Sequence, residues 1–348
     1  MNLRFSYISN SEYGDIKKFL TKLLMLSVLI FVVDKALAFW ATQAVLWDTQ
    51  RGFGSLALLY RGAIDHKIVL FGSSLTGVNI DAEAIEQKTG MTCYSINVGN
   101  ASIDMCELFL EELLLTNKKP EIVFMEANYA QLDMCSTIEF RRGVLAPFSN
   151  ASALTARRLN PSPEDRLAFW FFRCKNFPSG EGIGGLSRSM FRYAQHVISG
   201  SDYDDLPAVT AEYGNRGRPA NGAFLRAPLA TEMVREKLWA NRGRNAHADT
   251  QRQEAYRRIV ELTKSEKIQL VLYGPPLFGK VNDNFAQEVD SFFSQLAEQN
   301  EHVHYWTFQE DSDLLADPNL WTDTVHLNWN GAEILTQKII EKLVTLRD

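Results

Sequence analysis

A serine, a histidine and an aspartate stand at positions of this sequence where they could act together in acyl transfer. Ser73 and Ser74 follow an apolar run and a glycine, so they are predicted at a sharp turn where a buried strand ends. Asp323 and His326 are three residues apart, which allows the carboxylate to orient the imidazole. A serine that passes its proton to such a histidine is a nucleophile. Alternatively, the two serines only cap the next helix.

The elements that must position these residues alternate between strands and helices. Five apolar runs, bounded by glycine, proline or polar turns, predict buried strands at 66–72, 93–99, 120–127, 268–276 and 302–308. Helical spacing of apolar residues predicts helices at 105–115, 250–266, 284–299 and 331–346. Continuous apolar strands between helices indicate an α/β fold whose parallel sheet is covered on both faces.

Several polar segments follow the predicted strands. In open parallel sheets, ligands bind beyond the carboxyl ends of the strands. Ser74 follows the first strand, residues 97–104 follow the second, and Asn128 follows the third. Residues 321–331 precede the last helix. We expect these segments to meet at one edge, although Asn128 could merely cap a strand end and His326 could be a core histidine.

The amino-terminal region contains an apolar stretch. Residues 23–33 carry no charge, and the stretch widens to 19–40 if three charged residues are tolerated. As a helix, 22 residues extend about 33 Å, enough for the hydrocarbon layer of a bilayer. The stretch therefore predicts a single transmembrane anchor at 19–40.

Two other interpretations of this stretch stay open. The residues "ALA" at 36–38 resemble a signal-peptidase site, and a buried helix of a soluble protein is a third possibility. Lysines and an arginine in and beside the tail 1–18 place that tail in the cytoplasm and the rest of the chain outside. Residues 41–64 are predicted to form a juxtamembrane connector.

Residues 136–249 break the alternation of strands and helices. This segment is too long for a plain loop, so it is predicted to be an insertion that lies over the site or against a partner. Its "GEGIGG" at 180–185 matches a nucleotide-binding pattern in letters, but no strand precedes it. "HVH" at 302–304 could supply two metal ligands, yet no third is evident, and sheet packing or surface exposure is favoured.

Composition narrows the class of protein. The chain has 348 residues, of which 46% are hydrophobic and 22% charged, as expected for a globular protein with a full core. A formal net charge of −6 argues against nucleic acid as a partner. The four cysteines form no CxxC pair, which favours buried thiols or one optional disulfide over a zinc site. Neither a metal nor a cofactor is predicted.

Four motifs occur in a familiar order: "FGSSLTG", "NVGNAS", "FMEAN" and "DTVHLNWNG". Together they resemble the SGNH/GDSL hydrolase superfamily in its membrane-anchored, extracytoplasmic branch. That branch includes alginate and peptidoglycan O-acetyltransferases and the teichoic-acid D-alanylation protein. The resemblance covers 65–130 and 265–346, and it implies a flavodoxin-like three-layer sandwich over 65–348 with a five-stranded sheet.

The resemblance also implies a role for each site residue. Ser74 would be the nucleophile, His326 the base and Asp323 the group that orients the imidazole. The backbone N–H of Ser74 would be one donor to the oxyanion, and Ser102 would be another.

The remaining blocks agree less well with the family. Gly99 is a second, less favoured alignment for the donor at Ser102. Ser73 stands where the family usually has aspartate, as a serine does in the membrane-anchored branch. The block Gly-x-Asn-Asp falls on residues 126–129, where only Asn128 keeps the family residue and would donate to the oxyanion.

By this resemblance, the protein transfers or removes an acyl group, acetyl or D-alanyl, on a cell-envelope polymer such as a glycan or a teichoic-acid-like chain. A multi-pass membrane O-acyltransferase would be its partner. Two alternatives remain: an exported esterase or lipase that acts on small acyl esters, and a non-catalytic scaffold of such a membrane complex.

Overall fold

The computed structural model describes residues 10–47, 58–60, 62–97, 101–132, 191, 193–195, 197–199, 249–278, 283–321 and 325–347. Nearly all of the predicted insertion at 136–249 lies outside these residues. Asp323 and Gly99 also lie outside them.

Five parallel strands form one sheet in the order β2-β1-β3-β4-β5. The strands are β1 Ile68–Gly72, β2 Cys93–Asn97, β3 Ile122–Glu126, β4 Gln269–Gly274 and β5 Val303–Thr307. The predicted five-stranded parallel sheet is therefore confirmed. This order is that of flavodoxin-like sheets, in which ligands bind at the switch point between β1 and β3.

Within the described residues, the structure gives the bounds of nine α-helices. They are α1 Asn10–Trp47, α2 Ser74–Asn79, α3 Ala82–Thr89, α4 Ile103–Thr116, α5 Tyr129–Leu132, α6 Thr250–Ser265, α7 Asp283–Glu298, α8 Ser312–Ala316 and α9 Trp329–Arg347. Aspartate side chains cap three of them by accepting hydrogen bonds from the first turn: Asp81, Asp249 and Asp311. Gly90 ends α3 in the left-handed region, with φ 69°.

Alternate residues of the strands face two separate cores. Val69 and Phe71 pack into one core with apolar residues of α4, α6 and α7. Ile68 and Leu70 pack into the other with residues of α3 and α9. Strands buried on both faces need apolar side chains at every position, which explains their continuous apolar runs. The sheet is thus the middle of three layers.

Helix α1 carries large apolar side chains that are exposed, among them Ile16, Leu24 and Phe39. Within the described part of the chain, no helix reaches the length and apolarity needed to cross a membrane. The end of the predicted connector belongs to the α/β domain, because Leu59 and Ile64 are buried in its core.

Candidate active site

Ser74 stands at the carboxyl end of β1, where the chain turns into α2. Ser73 is the N-cap of α2, and its hydroxyl accepts a hydrogen bond from the backbone N–H of Leu75. Ser74 is therefore the first residue of the helix, and its side chain is only half-buried. Its Oγ lies 2.9 Å from Nε2 of His326, although 252 residues separate them in the chain. Ser74 and His326, which the sequence predicts to act together, therefore lie within hydrogen-bonding distance of each other.

His326 directly precedes Leu327, whose backbone is held by two interactions. An isolated β-bridge joins Trp321 to Leu327, directly after the histidine. The backbone N–H of Leu327 donates to Oδ1 of Asn79 at 3.0 Å. Asn79 ends the same helix that begins at Ser74, and it is fully buried. One short helix thus carries Ser74 at its first residue and, through Asn79 at its last residue, holds the backbone beside His326.

This geometry predicts the effect of replacing Asn79 by alanine. The buried N–H of Leu327 would lose its acceptor, which should lower the free energy of unfolding by about 1–3 kcal/mol. Because the lost bond lies next to His326, labelling of Ser74 by a fluorophosphonate should also slow by about tenfold. Thermal unfolding and labelling kinetics measure the two effects.

Asn117→Ala is the matched control for this prediction. Asn117 Oδ1 likewise accepts a backbone hydrogen bond, from Ile64 at 2.9 Å, but it lies at the end of α4, at the opposite edge of the sheet. This variant should lose stability without slower labelling. Equal labelling rates in both variants would mean that Asn79 does not position the histidine.

A buried carboxylate lies directly beneath the turn that carries Ser74, which is the candidate nucleophile. Glu126 ends β3, is 1% exposed and accepts hydrogen bonds from several groups. Ser73 donates its backbone N–H at 2.7 Å and its hydroxyl at 2.9 Å. The Thr76 hydroxyl donates at 2.8 Å, Asn128 Nδ2 at 2.7 Å and Gln131 Nε2 at 3.4 Å. We call these five residues the Glu126 network.

The Glu126 network reaches the loop after β2 as well. Gln131 Nε2 donates at 2.7 Å to the carbonyl oxygen of Ala101, which precedes Ser102. Asn128 Oδ1 accepts from the backbone N–H of Gln131 at 2.9 Å. Hydrogen bonds therefore connect the segments that follow β1, β2 and β3.

The close packing of the turn explains its glycine. A Cβ atom at Gly72 would overlap with Oγ1 of Thr76 and with a carboxylate oxygen of Glu126. A side chain at this position would have to displace the carboxylate. Glycine is thus required where β1 meets α2, because the Glu126 network occupies the space of a side chain.

The other residues proposed for the site have the following places. Ser102 is buried at the N-cap of α4, and its side chain makes no capping hydrogen bond. Asn128 is fully buried and gives one amide hydrogen to Glu126. Asn97, at the end of β2, donates its side-chain amide to Ser95 and lies against Gly77 of α2. Asp323, the predicted orienting carboxylate, lies outside the described residues.

Other groups with reactive side chains near the Glu126 network stay neutral. Burial raises the pKa of the Cys106 thiol well above its usual range, and the Glu126 carboxylate adds to this effect. Burial first, and Glu126 among other neighbours, likewise raises the pKa of Tyr256 and of Tyr273. A neutral, fully buried thiol or phenol is a poor nucleophile. Ser74, half-buried and next to a histidine, is better suited.

The two histidines of "HVH" bond to neighbouring elements. Nε2 of His302 lies 3.1 Å from the carbonyl oxygen of Val260, and Nε2 of His304 lies 3.0 Å from Oε1 of Gln269. Burial, and then His302, lower the pKa of His304. Among the described residues, no group of histidine, cysteine or acidic side chains could hold a metal ion.

Sequence reasoning missed Glu126, Gln131 and Asn79. Glu126 had one signal: it ends an otherwise apolar buried strand, where a charged side chain needs hydrogen-bond partners. Asn79 had none, because its partner lies 248 residues away in the chain.

No model of a known protein family matches this chain, and neither does any curated protein. The fold and the site together define a class: an α/β protein with a serine–histidine pair at the carboxyl edge of a parallel sheet.

Proposed function

We propose that this protein is a serine acyltransferase or esterase of the SGNH type. The observation that carries the proposal is the 2.9 Å distance between Ser74 Oγ and His326 Nε2 at the switch point of the sheet. A hydroxyl within hydrogen-bond reach of an imidazole at a helix start is the arrangement that nucleophilic acyl transfer requires.

In the proposed reaction, Ser74 Oγ attacks the carbonyl carbon of an acyl ester and gives its proton to His326 Nε2. The bond between that carbon and the leaving oxygen breaks, and the leaving group takes the proton from the imidazole. The acyl group then remains on Ser74 as an ester. An acceptor hydroxyl, or water, gives its proton to His326 and attacks this ester, and Ser74 Oγ leaves with that proton.

Other residues would support these steps. Asp323 would orient the imidazole. The N–H groups of Ser74 and Ser102 would donate to the negatively charged oxygen that develops in the transition state. Asn128 could add only the second hydrogen of its amide, because the first is given to Glu126. Loss of one such donor typically lowers the rate about a hundredfold or more.

The acyl acceptor and the cellular location of the protein are proposed from the resemblance to the SGNH/GDSL superfamily and from the apolar surface of helix α1. We propose an extracytoplasmic enzyme, anchored through residues 19–40, that carries acetyl or D-alanyl groups to or from a cell-envelope polymer. The exposed apolar side chains of α1 support the anchor, although no helix among the described residues has the length and apolarity of a membrane span. A multi-pass membrane O-acyltransferase would supply the acyl group. No nucleic acid, metal or cofactor is needed for the proposed steps.

Mass spectrometry of the purified full-length chain tests the proposed function. Incubation with an activated acyl ester should leave one acyl group on Ser74, identified by peptide mapping. Addition of an oligosaccharide acceptor should remove that group and yield an acylated sugar if the protein is a transferase, and free acid if it is an esterase. An unmodified Ser74 after reaction with both the ester and a fluorophosphonate would contradict either activity and favour a non-catalytic scaffold.

A further inference from the structure

The Glu126 carboxylate is buried among uncharged donors. Within the described residues, its partners are a backbone N–H, two hydroxyls and two side-chain amides. A carboxylate has about four acceptor positions on its two oxygens, and these donors fill them. Hydrogen bonds to a charged acceptor are shorter than bonds between neutral groups and about twice as strong. The donors of the turn therefore hold the Glu126 carboxylate in place. The carboxylate, in return, fixes the backbone of the turn through the same hydrogen bonds.

Two of the donors flank the nucleophile in sequence. Ser73 precedes Ser74 and donates through both its backbone and its hydroxyl. Thr76 follows two residues later and donates to Oε2. Ser74 itself makes no bond to Glu126, and its Oγ is directed to His326 instead. Glu126 thus fixes the backbone on both sides of Ser74 and leaves the Ser74 hydroxyl to contact His326.

The same carboxylate also orders the segments where oxyanion donors are proposed. Asn128 and Gln131 donate to Oε1, and Gln131 continues to the carbonyl oxygen of Ala101. One side chain therefore sets the relative positions of Ser74, Asn128 and the residue before Ser102.

We propose that Glu126 is the positioning residue of this active site: its carboxylate holds the nucleophile turn and the proposed oxyanion donors in register. This inference rests on the proposed function, because it concerns the reactivity of Ser74. Glu126 is not expected to touch the substrate, since it lies beneath the turn and is 1% exposed.

The test is the rate at which a fluorophosphonate labels Ser74 in Glu126→Gln. The variant keeps the shape of the side chain but replaces one accepting oxygen by an NH2 group. This group cannot accept hydrogen bonds from the donors of the turn, so the turn should shift. The rate constant of inactivation should fall about a hundredfold, with little change in the concentration of probe for half-maximal rate. Glu126→Asp keeps the charge and should recover part of the rate.

Glu107→Gln is the matched control. Glu107 is also a buried glutamate, but it pairs with Arg258 away from the site, at 2.7 Å. This variant should lose stability and label Ser74 at the wild-type rate. Equal slowing in Glu107→Gln and Glu126→Gln would overturn the inference, since both would then act through stability alone.

Thr76→Val keeps the inference testable if Glu126→Gln does not fold. It removes one donor to the carboxylate and preserves the shape of the side chain, and it should slow labelling about fivefold. Wild-type rates in Thr76→Val, or in folded Glu126→Gln, would overturn the inference and leave the proposed function intact. An unlabelled wild-type protein would instead overturn the proposed function, and this inference with it.

Discussion

Replacement of Ser74 by alanine should remove the acyl adduct and lower turnover of an activated ester by at least roughly ten thousandfold, if Ser74 is the proposed nucleophile. The effect is large because Ser74 Oγ is the hydroxyl that lies 2.9 Å from the His326 imidazole. Intact-mass spectrometry after reaction with a fluorophosphonate shows the loss of the adduct, and ester hydrolysis gives the rate. The fold should persist, because the half-buried Ser74 side chain is small.

Ser73→Ala is the adjacent control for this prediction. The Ser73 hydroxyl donates to Glu126 and accepts from Leu75, so its bonds are structural. The variant should lose about 1–3 kcal/mol of stability. It should still form the adduct at Ser74, although more slowly, because the backbone N–H of Ser73 still donates to Glu126. If the adduct of the wild-type protein were found on Ser73, then Ser73 and not Ser74 would be the nucleophile.

The sheet could be predicted because its strands are buried on both faces. Each strand is a short apolar run that ends at glycine or a polar residue, and this pattern fixes its position within a few residues. Helix α2, Ser74–Asn79, could not be predicted in the same way. It contains a glycine and ends in asparagine, both poor helix formers. Its conformation depends instead on the Ser73 cap and on bonds from Thr76 and Asn79 to distant segments.

The serine–histidine pair could be predicted from motif order, whereas the Glu126 network could not. The bond from Ser73 to Glu126 joins residues 53 apart. It depends on the register of the β1–β3 pair, in which Phe71 is opposite Met125. That register places Gly72 and the turn beside the end of β3, and no local pattern in the sequence encodes it.

Two residues that differ from the SGNH/GDSL motifs contact each other in the structure. Ser73 stands in place of an aspartate in the first block, and Glu126 in place of a glycine in the third. Only the departure at Glu126 counts against the resemblance, because the anchored branch also has a serine at the position of Ser73. The Ser73 hydroxyl and backbone N–H both donate to the Glu126 carboxylate. A carboxylate is thus present beside the nucleophile, but it comes from the neighbouring strand.

Replacement of His326 by glutamine should have the second-largest effect. Glutamine can still form a hydrogen bond near Ser74 Oγ, but it cannot take the serine proton at neutral pH. A positioned general base contributes roughly a hundred- to ten-thousandfold to the rate, and we expect acylation of Ser74 to fall by that factor. Stopped-flow measurement of product release from an activated ester, combined with intact mass, separates acylation from deacylation.

His304→Gln is the matched control for this substitution. His304 is also only partly buried, but it lies on β5 and its Nε2 contacts Gln269 rather than a nucleophile. It should acylate at the wild-type rate. A wild-type rate in His326→Gln would show that another group takes the proton, whatever the distance to Ser74.

The comparison between His326→Gln and His326→Ala tests what the 2.9 Å contact does. If the imidazole served only to hold Ser74 by a hydrogen bond, glutamine would restore much of the rate lost in alanine. If it takes the proton, the two variants should be equally slow, because neither side chain is a base. We expect equal rates, since α2 and the Glu126 network already position Ser74 without the histidine.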